Sequence, residues 1–170
     1  MIQIRIILIT GLCLTFIQCK HKKDPNKTYF DKPSEYNDYI VNEQMQVMAL
    51  FDDYAKSINS GKPDSMSFFL DSLSKRTELA QTSIYKLADY KGDTLFRYAA
   101  LELFRYINYA CNHELKQIVE IVANDSAMTD AAADSIHSLS DIYTIKEKEK
   151  NDALIIEQNK FAKKFNVIIK

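Results

Sequence analysis

At 170 residues the chain has room for one domain, and its 22 Lys and Arg against 23 Asp and Glu leave a net charge of −1. Such a balance gives no electrostatic reason to expect nucleic acid, which needs a clustered basic surface. Three cysteines, at 13, 19 and 111, leave one thiol in the fold once the first two are read as part of an export segment. No internal disulfide is then available, and stability must come from packing.

The first 19 residues carry one charge, Arg5, and Ile6 to Ile17 is almost wholly apolar. A run of about 12 residues matches the apolar core of an export signal, whereas a membrane-spanning helix needs about 20. Polarity then switches abruptly at Gln18-Cys19-Lys20-His21-Lys22-Lys23-Asp24-Pro25. The arrangement resembles a bacterial lipoprotein signal. That resemblance implies cleavage after residue 18, a palmitate-type diacyl anchor on Cys19, and a membrane-attached protein of the bacterial cell envelope, in the outer membrane or facing the periplasm. Gln18 departs from the small residue usual before the cysteine; an uncleaved anchor helix, or export without lipid, are the alternatives. Without residues 1–18 the chain has 21 basic and 23 acidic residues, net −2.

Residues 19–33 are charged, carry Pro25 and end at Pro33, with no apolar period, so they read as a flexible tether. A stretch of that length would hold the domain tens of ångströms from a membrane, or less if coiled. Lys20, Lys22 and Lys23 either lie on anionic head groups, each worth about 1 kcal/mol, or only solubilise the tether.

Beyond Pro33, every Gly and Pro falls in one of two short junctions, Ser60-Gly61-Lys62-Pro63 and Lys91-Gly92-Asp93. The stretches between lack the residues that cost about 1 (Gly) and 3 kcal/mol (Pro) inside a helix. The first stretch, about Ser34 to Asn59 with Ser34 as N-cap, has Val41, Gln44, Met48, Phe51, Ala55 and Ile58 at coiled-coil-like spacing. The second runs from Pro63 to about Tyr90, with Met66, Leu70, Leu73, Thr77, Ala80, Ile84 and Leu87 inward. Asp93 caps the third, which continues to about Ala123 with Phe96, Ala100, Leu103, Ile107, Ala110, Ile118 and Ile121 inward. The fourth, capped near Thr129 and reaching Phe165, turns Ala133, Ile136, Leu139 or Ser140, Tyr143, Leu154, Phe161 and Phe165 inward. In its Lys146-Glu147-Lys148-Glu149-Lys150 run, the stems of Lys146 and Lys150 are expected to cover the core edge. Short junctions favour antiparallel neighbours. The expected fold is therefore all-α: an up-down-up-down four-helix bundle over residues 34–170, folding as a monomer.

Catalytic groups are sparse. No Cys-x-x-Cys-His or Glu-x-x-His is present, and no cofactor or metal is expected. Asp134 and His137, three residues apart, form at most a weak chelate, and Asp134 in a first turn already suits the helix dipole. Cys111 and His113 are two apart and point away from each other, so Cys111 reads as a core filler. One constellation remains, on the third stretch: Arg97, Arg105, Asn108, Tyr109, Asn112 and His113. Spacings of 3 to 4 put Arg105, Asn108 or Tyr109, and Asn112 on one face. Such a face offers a small-ligand site of Arg105, Asn108, Tyr109, Asn112 and His113, or else a solvated face or an interhelical network.

Two further segments carry a resemblance, Glu35-Tyr36-Asn37-Asp38-Tyr39-Ile40-Val41-Asn42-Glu43-Gln44 and Gln158-Asn159-Lys160-Phe161-Ala162-Lys163-Lys164-Phe165-Asn166. Both resemble an uncharacterised family of small helical surface lipoproteins of spirochaetes and Bacteroidetes. The resemblance implies an envelope-anchored helical domain and carries no catalytic or binding residue to transfer. The expected function is non-enzymatic: the domain binds or scaffolds another envelope protein. A ligand-binding or sensing bundle is the alternative.

Overall fold

The computed structural model describes residues 23–124 and 128–169. The export segment, Cys19 and the start of the tether lie outside the described residues. Five helices follow in order: α1 Pro33–Asn59, α2 Pro63–Lys86, α3 Leu95–Asn112, α4 Glu114–Asn124 and α5 Asp130–Phe165. Since α3 and α4 are the two parts of the third stretch, four helical units pack together around one core.

Proline opens both of the first two helices. Lys32 and Lys62 take extended backbone conformations, as a residue before proline must, and neither makes a side-chain cap bond. Ser34 therefore sits inside the first turn rather than capping it. Asp93 is likewise not a cap; Thr94 precedes α3 and its side chain accepts no cap bond from it. Thr129 does cap α5, its hydroxyl accepting from the Ala132 N–H at 3.3 Å. At the other end Asn166 adopts the left-handed conformation (φ 55°), and the Val167 N–H closes back on the Ala162 carbonyl at 2.9 Å. Gly61 (φ 63°) makes the same left-handed turn between α1 and α2.

The inward stripe of α2 is the expected one: Met66, Leu70, Leu73, Thr77, Ala80, Ile84 and Leu87 are all buried. The helix itself stops at Lys86 instead of Tyr90. In α1 the stripe is displaced by about one residue. Tyr36, Ile40, Glu43, Val47, Tyr54 and Ser57 are buried, while Val41, Gln44, Met48, Phe51, Ala55 and Ile58 are only half-buried. Two faces of α1 are in use. The buried face meets α2, where the Arg76 guanidinium bonds Glu43 Oε2 at 2.5 Å and Gln46 at 3.1 Å. The half-buried face, together with buried Asn37, meets α5. Gln44 donates to Asn151 (2.8 Å), Gln158 donates to Asn37 (2.9 Å), and Phe51 stacks on Tyr143 with ring centroids 4.9 Å apart.

The third stretch breaks where no glycine or proline marks it. His113 has φ −126° and ψ −95°; its N–H closes α3 on the Ala110 carbonyl, and its own carbonyl accepts from Gln117 N–H to open α4. The inward series Phe96, Ala100, Leu103, Ile107, Ala110 and Ile118 is nevertheless buried, with Ile121 half-buried. On α5, Tyr143, Leu154 and Phe161 are buried as expected, but Ala132 takes the place expected for Ala133, which is exposed. The charged run stays helical. Glu147, not the stem of Lys146, turns inward there, with Lys150 half-buried beside it.

From Asp24 onward the expected tether lies against the bundle. Thr28 pairs with the end of α2 through two backbone bonds of 2.9 Å, to the Lys86 carbonyl and from the Ala88 N–H. Lys27 Nζ donates to the Tyr85 carbonyl at 2.6 Å, and the Tyr90 hydroxyl to the Asp31 carbonyl at 3.1 Å. The Phe30 ring lies 5.2 Å from that of Tyr39.

Candidate functional site

The polar series on α3 does not converge. Arg105 is exposed and pairs with Glu102 one turn back at 2.8 Å. Asn112 donates its amide to the Asn108 carbonyl (2.9 Å) and side-chain oxygen (3.2 Å), so the two asparagines satisfy each other. Tyr109 is half-exposed and its ring lies 4.0 Å from that of His113 at the helix break. Arg97 points elsewhere, held by Asp89 at 2.8 Å.

Two separate clefts divide the series. Arg105 borders a shallow groove of about 230 Å³ with Gln81, Thr82, Tyr85 and Leu101. Asn112 borders another of about 270 Å³, between α2 and the α3–α4 joint, with Ser67, Asp71, Ser74 and Lys116 among its walls. Both fall below the volume, about 300 Å³ and up, in which small-molecule sites usually enclose their ligands.

Cys111 is buried, and burial pushes its thiol up to about 12. It stays protonated near neutrality, which agrees with a core filler and removes it as a nucleophile. Asp134 and His137 are both exposed on α5. Among the described residues no group of three or more His, Cys, Asp or Glu is placed to hold a metal ion.

Tyrosines and carboxyls on either side of the helix break form the most unusual polar region of the interior. Burial drives the Tyr143 phenol far upward, and it raises Tyr106 to about 12, with the Glu114 and Glu147 charges adding to the shift. Glu147 is itself raised, first by burial and then by Asp152. Tyr106 donates its hydroxyl to the Tyr143 carbonyl at 3.3 Å, and Tyr54 to that of Leu115 at 2.9 Å. Glu114 Oε2, Glu147 Oε1 and the Tyr143 hydroxyl are buried without a hydrogen-bond partner, each a cost of about 1–3 kcal/mol. Phenols held protonated do not attack, and the hydroxyls of Tyr54 and Tyr106 instead join α1 to α4 and α3 to α5. Spacing along the third stretch did not disclose this region, because its members come from four helices.

No protein-family model, no curated protein and no solved structure matches this chain.

Proposed function

We propose that the chain is a bacterial envelope lipoprotein, made with residues 1–18 as a signal peptide and anchored through diacylated Cys19. Its domain is an up-down-up-down helical bundle that binds or scaffolds another envelope protein. The observation that carries this reading is the Ile6–Ile17 apolar run ending in the switch to Cys19-Lys20-His21-Lys22. Among the described residues no helix is long and apolar enough to cross a membrane; in this reading Cys19 provides the attachment. The two motifs at residues 35–44 and 158–166 support placing it with the small helical lipoproteins they resemble.

The up-down order is supported by the pairs that join α1 to α5. Residues 37, 44 and 51 meet 158, 151 and 143, so the numbering rises on one helix as it falls on the other. A protein-binding role is supported by α5, where Ile142, Ile145 and Ile156 are 41%, 69% and 53% exposed along one side of the helix. Isoleucines grouped on an otherwise charged helix are a surface that gains from being covered.

Fatty-acid labelling in cells tests the anchor: wild type takes up label and Cys19→Ser does not, and equal labelling of the two would sink the reading. Cross-linking in the native envelope tests the surface. Ile145→Glu combined with Ile156→Glu should lose the partner captured by wild type while keeping its melting temperature. Capture unchanged by those substitutions moves the partner surface off α5.

A further inference from the structure

We propose that the end of the bundle where the chain enters is a membrane-facing base that docks on an anionic bilayer surface, so that the domain stands on the membrane instead of swinging from a tether. The inference rests on the reading of Cys19 as the anchor.

Three segments distant in sequence meet at this end: residues 23–36, the turn region 84–98, and residues 158–169. A knot of rings binds them. Tyr36 lies 5.5 Å from Tyr90, 6.3 Å from Phe96 and 5.2 Å from Phe161, and Phe165 stands edge-on to Tyr90 at 5.0 Å. Lys164 reaches across to Asp93 at 2.8 Å.

Charge divides along the bundle. These three segments carry nine Lys and Arg against five Asp and Glu, net +4; residues 37–83 and 99–157 carry nine against eighteen, net −9. Three of the five carboxylates at the base are already paired there, Glu35 with Lys32, Asp89 with Arg97 and Asp93 with Lys164. The excess is lysine, and Lys20 and Lys22 just upstream have the same sign. An overall charge of −1 conceals this polarity.

The base also exposes apolar and aromatic side chains of the kind that sit at bilayer interfaces. Leu95 is 60% exposed, Tyr98 53% and Ile168 87%, and Tyr85 and Tyr29 are exposed with Lys27 and Lys23 over their rings at 4.7 and 5.1 Å. Lysine over an exposed tyrosine presents a cation and a ring together, which matches a surface of anionic head groups above acyl chains.

Chain length supplies the last constraint. Because the entering segment is held on the bundle, only three residues lie between Cys19 and Lys23, a reach of at most about 14 Å. The surface potential of an anionic leaflet decays over a Debye length of about 8 Å. Lys23 is thus kept within about two Debye lengths of the surface, where part of that potential still acts, while the acidic far end stands about 40 Å away along α1.

The test uses the full chain, processed and reconstituted in phosphatidylcholine vesicles with or without phosphatidylglycerol. Mass measurement of the N-terminal peptide reads acylation of Cys19. Energy transfer to a head-group-labelled lipid is then measured from a dye at Asn26→Cys, on the base, and at Asn59→Cys, at the far end. Transfer should be several-fold stronger from the base. That contrast should shrink when Lys23, Lys27, Lys86 and Lys163 are replaced by Gln, and when phosphatidylglycerol is omitted. Circular dichroism of the Gln variant, equal to wild type, secures the fold; Leu95→Ser with Ile168→Ser is the second variant if the first does not fold. Equal transfer from both ends of an acylated protein overturns the docked base. A contrast indifferent to lysine replacement and to lipid charge overturns its electrostatic origin. An unacylated Cys19 overturns the anchor itself, through a different measurement.

Discussion

Where Tyr36, Tyr90, Phe96, Phe161 and Phe165 meet, four parts of the chain are locked by interleaved rings and the entering segment adds backbone bonds across the end of α2. At the opposite end α5 begins with Asp130-Ala131-Ala132-Ala133, and over its first twelve residues only Ala132 is buried. Open grooves lined by Gln117, Ile121, Thr129 and Ser135 separate it there from α4. Large rings remove much water-exposed surface per residue ordered, while alanines remove little. The difference teaches that one continuous helix can be anchored at its C-terminal half and only loosely held at its N-terminal half.

The largest expected effect breaks the tight end. Phe161→Ala should cost about 3–5 kcal/mol in a chemical melt, a large share of a domain's total stability. A loss below about 1 kcal/mol would show that the ring knot is dispensable. Next, Tyr54→Phe leaves the Leu115 carbonyl without its buried donor and should cost about 1–3 kcal/mol. Ile136→Ala, half-buried on the loose half of α5, should cost about 1 kcal/mol. Hydrogen exchange should agree, with amides of residues 131–142 exchanging before those of 154–165; the reverse order would invert the comparison.

A smaller effect depends on pH. The carboxyl of Glu147 is raised in the fold, so the folded state favours its protonated form. Below the ordinary Glu range, about 4.3, folded and unfolded chains both hold the proton. As pH rises above it, the unfolded chain ionises freely and the fold resists, so wild type loses stability that Glu147→Gln retains. The melting temperature of the Gln variant relative to wild type should therefore climb as the pH rises above the ordinary Glu range. A difference flat with pH would mean that Glu147 is fully solvated. Smallest of all, Arg105→Ala should shift stability by no more than about 0.5 kcal/mol, because it is exposed and pairs with exposed Glu102.

Periodicity made α2 legible residue by residue, because that helix buries a single apolar stripe. It misplaced the stripe of α1 for a physical reason. The true seam contains Asn37, Glu43 and Ser57, which look like surface residues, yet Gln158, Arg76 and the Tyr54 carbonyl satisfy them across or along the helix. A half-buried apolar row lay beside that seam and offered the cleaner pattern. The break at His113 had no local signal, since backbone geometry rather than Gly or Pro makes it. On α3, spacing placed Arg105 and Asn112 on one helix face correctly but could not reveal that neighbouring helices divide the face between two clefts. The polarity of charge was equally hidden, because three segments dozens of residues apart create it.

Cys111 gives the joint between α3 and α4 a built-in clock. The thiol lies 3% exposed behind the cleft between α2 and the α3–α4 joint, and within the described residues it is the free cysteine. An alkylating reagent can reach it only when those helices part. The rate of modification under native conditions thus counts openings of the joint, without a probe having to be engineered into the core.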